Sequence, residues 1–77
     1  MLSDTWIRAA KLAERPFRLY DERGLYLEVS PSGGRLWRMK YRFAGKEKLI
    51  VLGTYPAATL KVARERRDAA CSLLERG

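Results

Sequence analysis

Arg38, Lys40 and Arg42 recur at every second position of the stretch Arg35-Leu36-Trp37-Arg38-Met39-Lys40-Tyr41-Arg42-Phe43. A strand sends successive side chains to opposite faces, so these three bases would stand in one row. Their spacing would be about 6.5–7 Å, which suits phosphates on either side of a groove. The guanidinium fork also matches the guanine edge in a major groove, and that groove admits a two-stranded ribbon. Like charges in a row repel, a small cost in water that brings no structural benefit unless an anion lies against them. The competing reading is a solvated face whose charges prevent edge-to-edge association. The apolar residues on the other side of the strand, and the lack of counter-charges in the row, favour an anionic partner, nucleic acid first.

The wider charge distribution points the same way. Sixteen Lys and Arg against nine Asp and Glu leave a net charge of +7. Residues 35–53 hold six bases (Arg35, Arg38, Lys40, Arg42, Lys46 and Lys48) against one acid, Glu47, so five of the seven net charges fall there. A basic domain of this kind suits nucleic acid, an anionic lipid surface or an acidic protein.

Other chemistries are excluded by residue type. The chain has no His and one Cys, so neither a His/Cys metal cluster nor an internal disulfide can form. A lone cysteine fits a reducing compartment, and Cys71 is most simply a small apolar helix residue. The acids lack the paired spacing of a carboxylate metal site. There is no G-x-S-x-G elbow and no phosphate-binding loop with its lysine, so no cofactor and no catalysis by this chain alone are expected. No stretch has the apolar length of a signal peptide or a membrane span.

The elements that must position the row can be read along the chain. Its 77 residues fit one small domain, 1–77, with a modest core. Ser3 and Asp4 are helix-capping types, which predicts a short helix within 3–11, ended before Pro16. Trp6, Ala9 and Ala10 would share one side, with Trp6 anchoring the segment. Phe17 to Tyr20 reads as a short extended piece and Asp21 to Gly24 as a turn. A three-stranded meander follows over 25–53. Leu25, Leu27 and Val29 oppose Tyr26, Glu28 and Ser30. After the Pro31-Ser32-Gly33-Gly34 turn, Trp37, Met39, Tyr41 and Phe43 oppose the basic row. Ala44-Gly45 supplies a two-residue hairpin turn before the third strand, whose apolar run Leu49–Leu52 leaves the buried face open.

Thr59 caps a helix expected over 59–76, with Gly77 at the C′ position. Leu60, Ala63, Ala70 and Leu74 form its stripe, widened by Leu73. Lys61, Arg64, Arg66 and Arg67 with Glu65 and Asp68 read as an ordinary solvated exterior. The Ala-rich stripe and two-signed polar face argue against a membrane-surface helix. The fold class is therefore α+β: a three-stranded antiparallel sheet packed against a C-terminal helix, with a short N-terminal helical segment.

Several residues carry two readings. Trp37 and Tyr41 could stack bases, but they share the apolar face and read as core. Tyr26 projects beside the basic row, either as a sugar or phosphate contact or as a plain exposed tyrosine. Leu49 and Val51 either face outward, where they could touch thymine methyls, or pack in the core.

In order along the chain stand Thr5-Trp6-Ile7-Arg8-Ala9-Ala10-Lys11, Asp21 to Gly24 with Leu25-Tyr26-Leu27, and Pro31-Ser32-Gly33-Gly34. Then come Trp37-Arg38, Tyr41-Arg42-Phe43, Gly53-Thr54-Tyr55-Pro56, Ala63-Arg64 and Gly77. This series resembles the N-terminal arm-type DNA-binding domain of prophage and genomic-island integrases of the tyrosine recombinase family. The resemblance covers essentially the whole chain. It implies a sheet packed on a C-terminal helix that holds arm-type sites of attachment DNA. Core-binding and catalytic domains, including the tyrosine nucleophile, would lie outside this chain, and none of its four tyrosines takes that role. It also implies that Ile50 and Leu52 are core and that Leu49 and Val51 face out, although family members often carry small polar residues at the latter positions. Val62 stands where an acidic residue is common. A bacterial or phage-encoded, cytoplasmic, nucleoid-associated protein is implied.

The expected contact set for double-stranded DNA is Arg38, Lys40 and Arg42, with Arg35, Lys46 and Lys48 clamping phosphates and Tyr26 beside them. The alternative is a protein-interaction module that contacts neighbouring integrase subunits or an excisionase. RNA is disfavoured because the outer face lacks a stacking pair of aromatics.

Overall fold

The computed structural model describes residues 2–11 and 13–75. Its elements are α1 (Asp4–Ala9), β1 (Phe17–Tyr20), β2 (Leu25–Val29), β3 (Arg35–Phe43), β4 (Lys46–Thr54) and α2 (Leu60–Glu75). The class is α+β with a C-terminal helix, as expected. The sheet, however, has four antiparallel strands in the order β1-β2-β3-β4, not three. The additional strand is the extended piece Phe17–Tyr20. It pairs along its whole length with β2, from Phe17 opposite Val29 to Tyr20 opposite Tyr26. Four residues are too few to show a clear period, and here cross-strand pairing decides the conformation.

Both helices begin at the expected caps. The Ser3 hydroxyl accepts from the Trp6 N–H at 3.3 Å, and the Thr59 hydroxyl accepts from the Val62 N–H at 3.3 Å. Helix α1 stops at Ala9, short of Lys11, because Ala10 turns to an extended conformation. Helix α2 is described to Glu75. The expected last helical residue, Arg76, and the C′ residue, Gly77, lie outside the described residues.

One face of the sheet builds the core. Leu25, Leu27 and Val29 of β2, Trp37 and Met39 of β3 and Leu52 of β4 pack with Leu60 and Ala63 of α2. The Trp37 indole N–H donates to the Ala58 carbonyl at 2.7 Å, which ties the central strand to the segment that leads into α2. Leu2 and Ile7 close the core from the N-terminal side. Trp6 does not anchor that segment, because it is 70% exposed. A six-residue helix turns only one narrow stripe inward, and Ile7 occupies it.

The reading of α2's charged residues as solvent-facing is corrected at two positions. Arg64 and Arg67 both bind Asp21, whose side chain is 1% exposed. Arg64 reaches both carboxylate oxygens, at 2.9 and 3.0 Å, and the Leu2 carbonyl at 2.7 Å. Arg67 donates to Asp21 at 3.0 Å and to the Glu22 carbonyl at 3.2 Å. The Leu2 N–H also donates to Asp21. One carboxylate thus joins the N-terminus, the β1–β2 turn and α2.

That turn also fixes the middle of β3. Gly24 has φ +85°, and its carbonyl accepts from the Lys40 N–H at 2.9 Å. A Cβ on Gly24 would overlap the Lys40 backbone carbonyl, whereas one on Gly45 (φ +76°) would meet open space. Both sites disfavour alanine by backbone conformation, at roughly 1–2 kcal/mol each. Gly24→Ala is therefore expected to lower stability clearly more than Gly45→Ala, and to shift the Lys40 amide resonance. Urea denaturation with amide spectra checks this, and equal losses would refute it.

Candidate nucleic-acid interface

The strand register sorts the predicted residues onto two faces. Arg38 pairs with Tyr26 on one side and Val51 on the other, Lys40 pairs with Leu49, and Arg42 pairs with Glu47. The alternation puts Arg38, Lys40 and Arg42 in one row, on the face away from α2. The extra residue at the bulge near Trp37 and Arg38 is Leu52, which lies buried while Val51 stays on the outer face. Ile50 pairs with Met39 on the helix side but, against the expectation that it is core, stays 37% exposed, while Leu49 and Val51 face outward.

Arg35, Lys46 and Lys48 do not join the row. Arg35 pairs with Val29, and its guanidinium lies 5.7 Å from the Tyr55 ring centre. Lys46 and Lys48 pair with Phe43 and Tyr41 near the tip of the β3–β4 hairpin, on the helix-side parity. Tyr26 does lie on the outer face, but it is fully buried there. The Arg18 guanidinium sits 4.9 Å from its ring centre, and Tyr20 packs at 5.7 Å. Its hydroxyl has no partner among the described residues.

Arg18 is a base of this face that the sequence reading did not single out. Its signal was the alternation Phe17, Leu19 against Arg18, Tyr20. Counter-charges are present too, contrary to expectation. Glu28 bridges Arg18 at 3.6 Å and Arg38 at 3.4 Å, and Glu47 pairs with Lys40 at 3.2 Å. They come from neighbouring strands, which separation along the chain conceals. Among the described residues, Arg42 is the member of the row without an ion pair. All these side chains are partly exposed, and such pairs contribute about 0–1 kcal/mol. Glu28 thus offsets part of the charge of Arg18 and Arg38 on this face.

No group of three or more His, Cys, Asp or Glu side chains gathers among the described residues, and no helix there is long and apolar enough to cross a membrane.

A twisted antiparallel sheet that shows alternating bases outward and is backed by one helix defines a small sheet-based module for binding an anionic polymer. The model of the arm DNA-binding domain family matches residues 2–77, and the chain belongs to that family. It is 47% identical over 66 residues to the integrase of Shigella phage Sf6, covering 86% of this chain and 17% of that integrase. The prophage integrase IntS of Escherichia coli (strain K12) matches to the same extent. The integrase of Enterobacteria phage P4 is 42% identical over 73 residues, 92% of this chain and 17% of that integrase. The chain thus spans about a sixth of the curated relatives it matches.

Proposed function

We propose that this chain binds double-stranded DNA at arm-type attachment sites through the outer face of its sheet, as the N-terminal module of a site-specific integrase. The observation that carries this reading is the row Arg38, Lys40 and Arg42 on the face left uncovered by α2. Membership of the arm DNA-binding domain family supports the partner. The whole protein would be a tyrosine recombinase, with core binding and strand exchange in other domains, and would act in the cytoplasm at the nucleoid of a bacterial host. Arg18 extends the contact face towards the β1 edge. Lys46 and Lys48, near the hairpin tip but on the helix-side parity, would meet phosphates only at the rim of the groove. Arg35 would reach DNA only after leaving the Tyr55 ring, and the buried Tyr26 only after Arg18 and Tyr20 uncover it.

Titration of duplex attachment-arm DNA with Arg38→Ala, Lys40→Ala and Arg42→Ala tests the reading. Loss of a base-reading arginine should cost about 1–3 kcal/mol and relax one position, while loss of a phosphate contact should weaken all sequences alike. With roughly 4–6 phosphates neutralised, log K should fall against log salt with a slope of about −4 to −5. Unchanged affinity in all three variants would sink the proposal. Shift mapping that moved only α2 resonances would favour contact with integrase subunits or an excisionase instead.

A further inference from the structure

Two aliphatic side chains interrupt the basic outer face. Leu49 is 51% exposed opposite Lys40, and Val51 is 58% exposed opposite Arg38. The core does not use them, because it lies on the other side of β4 and takes Leu52. Together they leave aliphatic surface in water within a charged face, the kind of patch that a partner covers. The charges beside them limit what can cover them. A second copy of the same face would bring the net positive charge of Arg18, Arg38, Lys40 and Arg42, only partly offset by Glu28 and Glu47, against its own kind, and like charges oppose that contact.

A polyanion that also offers apolar groups suits this mixture. In duplex DNA the major groove supplies one such group, the C5-methyl of thymine, between flanking phosphates and beside the acceptors of neighbouring bases. Alternate residues on a strand stand about 6.6–6.8 Å apart. Bases along one DNA strand rise about 3.4 Å per step, so two steps match that spacing. Directly opposed side chains across the β3–β4 pair lie about 4.5–5.5 Å apart, so a base contacted by Arg38 or Lys40 would neighbour the methyl contacted by its partner.

We propose that Leu49 and Val51 are specificity-determining residues that read two thymine methyl groups two base steps apart in the major groove. The inference rests on the outer face being the DNA face. It adds that sequence is selected partly by apolar contact, and that β4 shares in the reading with β3.

The test uses the 77-residue chain and duplexes selected by it from a randomised pool. Each thymine of the selected duplex is then replaced singly by deoxyuridine, which removes only the methyl group and leaves the protein unaltered. Two replacements, two steps apart, should each lower affinity about three- to fivefold, the factor expected for one methyl-sized apolar contact. In Leu49→Ala one of those replacements should have no further effect, and in Val51→Ala the other, as a double-mutant cycle requires of a direct contact. Duplex binding with the stated salt slope but indifference to every deoxyuridine replacement would overturn the inference and leave the DNA face standing. Failure to select or bind any duplex would overturn both. Deoxyuridine losses that persist unchanged in both alanine variants would assign the methyl groups to other side chains and refute it.

Discussion

Asp21→Asn is expected to destabilise the domain by about 3 kcal/mol, because it removes the buried carboxylate that Arg64 and Arg67 share and leaves Arg67 only the exposed Asp68. The side chains of Asp21 and Arg67 are 1% and 9% exposed, so water cannot take over the lost contact. Arg64 loses an ion pair to the same carboxylate. A domain of this length has roughly 4–12 kcal/mol of stability in all, so the variant should sit near its unfolding limit. Urea denaturation followed by circular dichroism measures the loss. Asp68→Asn is the control, since Asp68 pairs with Arg23 and Arg67 but is 54% exposed, and its removal should cost about 1 kcal/mol or less. A loss below about 1 kcal/mol in Asp21→Asn would refute the account of the cluster.

The same carboxylate gives a pH signature. Burial pushes its pKa up, but hydrogen bonds from Arg64 and from the backbone N–H groups of Leu2 and Glu22 outweigh this and hold it at about 2, below the ordinary 3.8. A group whose folded pKa is depressed stabilises the fold above its unfolded pKa and loses that contribution as pH falls through the folded one. Asp21 should therefore contribute about 2 kcal/mol at neutral pH and lose it between roughly pH 4 and pH 2. In Asp21→Asn that part of the acid dependence should disappear.

How legible this arrangement was depends on the kind of pattern involved. The basic row and the cores of β2 and β3 follow from strict alternation over five to nine residues, which the sheet preserves. The Ala44-Gly45 turn was legible because both residues adopt positive φ, as a two-residue hairpin requires. The extended piece Phe17–Tyr20 was legible too, but its place in the sheet was not, since that depends on pairing with the neighbour strand. Arg67 was misread for a related reason. It occupies the gap in the stripe Leu60, Ala63, Ala70, Leu74 at helical spacing, a position that faces inward, but its charge argued for solvent. Only the fold shows that Asp21, distant in sequence, waits there. The counter-charges Glu28 and Glu47 were hidden likewise, because ion pairs across strands leave no mark in local spacing. Trp6 shows the limit of residue type, since a large aromatic promised an anchor and Ile7 took the inward position.

Trp37→Ala should cost about 3–5 kcal/mol, the largest loss expected from a single side chain of the sheet. Trp37 is fully buried, and its ring meets Tyr55 edge-on at 6.4 Å. It also lies at the register shift: Trp37 pairs with Gly53, and the next residue, Arg38, pairs with Val51. Its packing thus holds the point at which the outward row begins. Trp37→Phe separates volume from polarity. It keeps an aromatic body but leaves the buried Ala58 carbonyl without its donor, a loss of about 1–3 kcal/mol. Circular dichroism measures both losses, and the burial of Trp37 itself is read in a Trp6→Phe background, which leaves Trp37 as the sole tryptophan because the other, Trp6, is exposed and replaceable. In that background the emission should start blue-shifted and move red in one step on unfolding, together with the circular dichroism. Since Trp37 faces away from the row, Trp37→Phe protein that remains folded should bind duplex DNA with near wild-type affinity. A stable Trp37→Ala variant, or a Trp37→Phe variant that is fully folded yet unable to bind, would show that the two faces of β3 do not divide core and contact as the register implies.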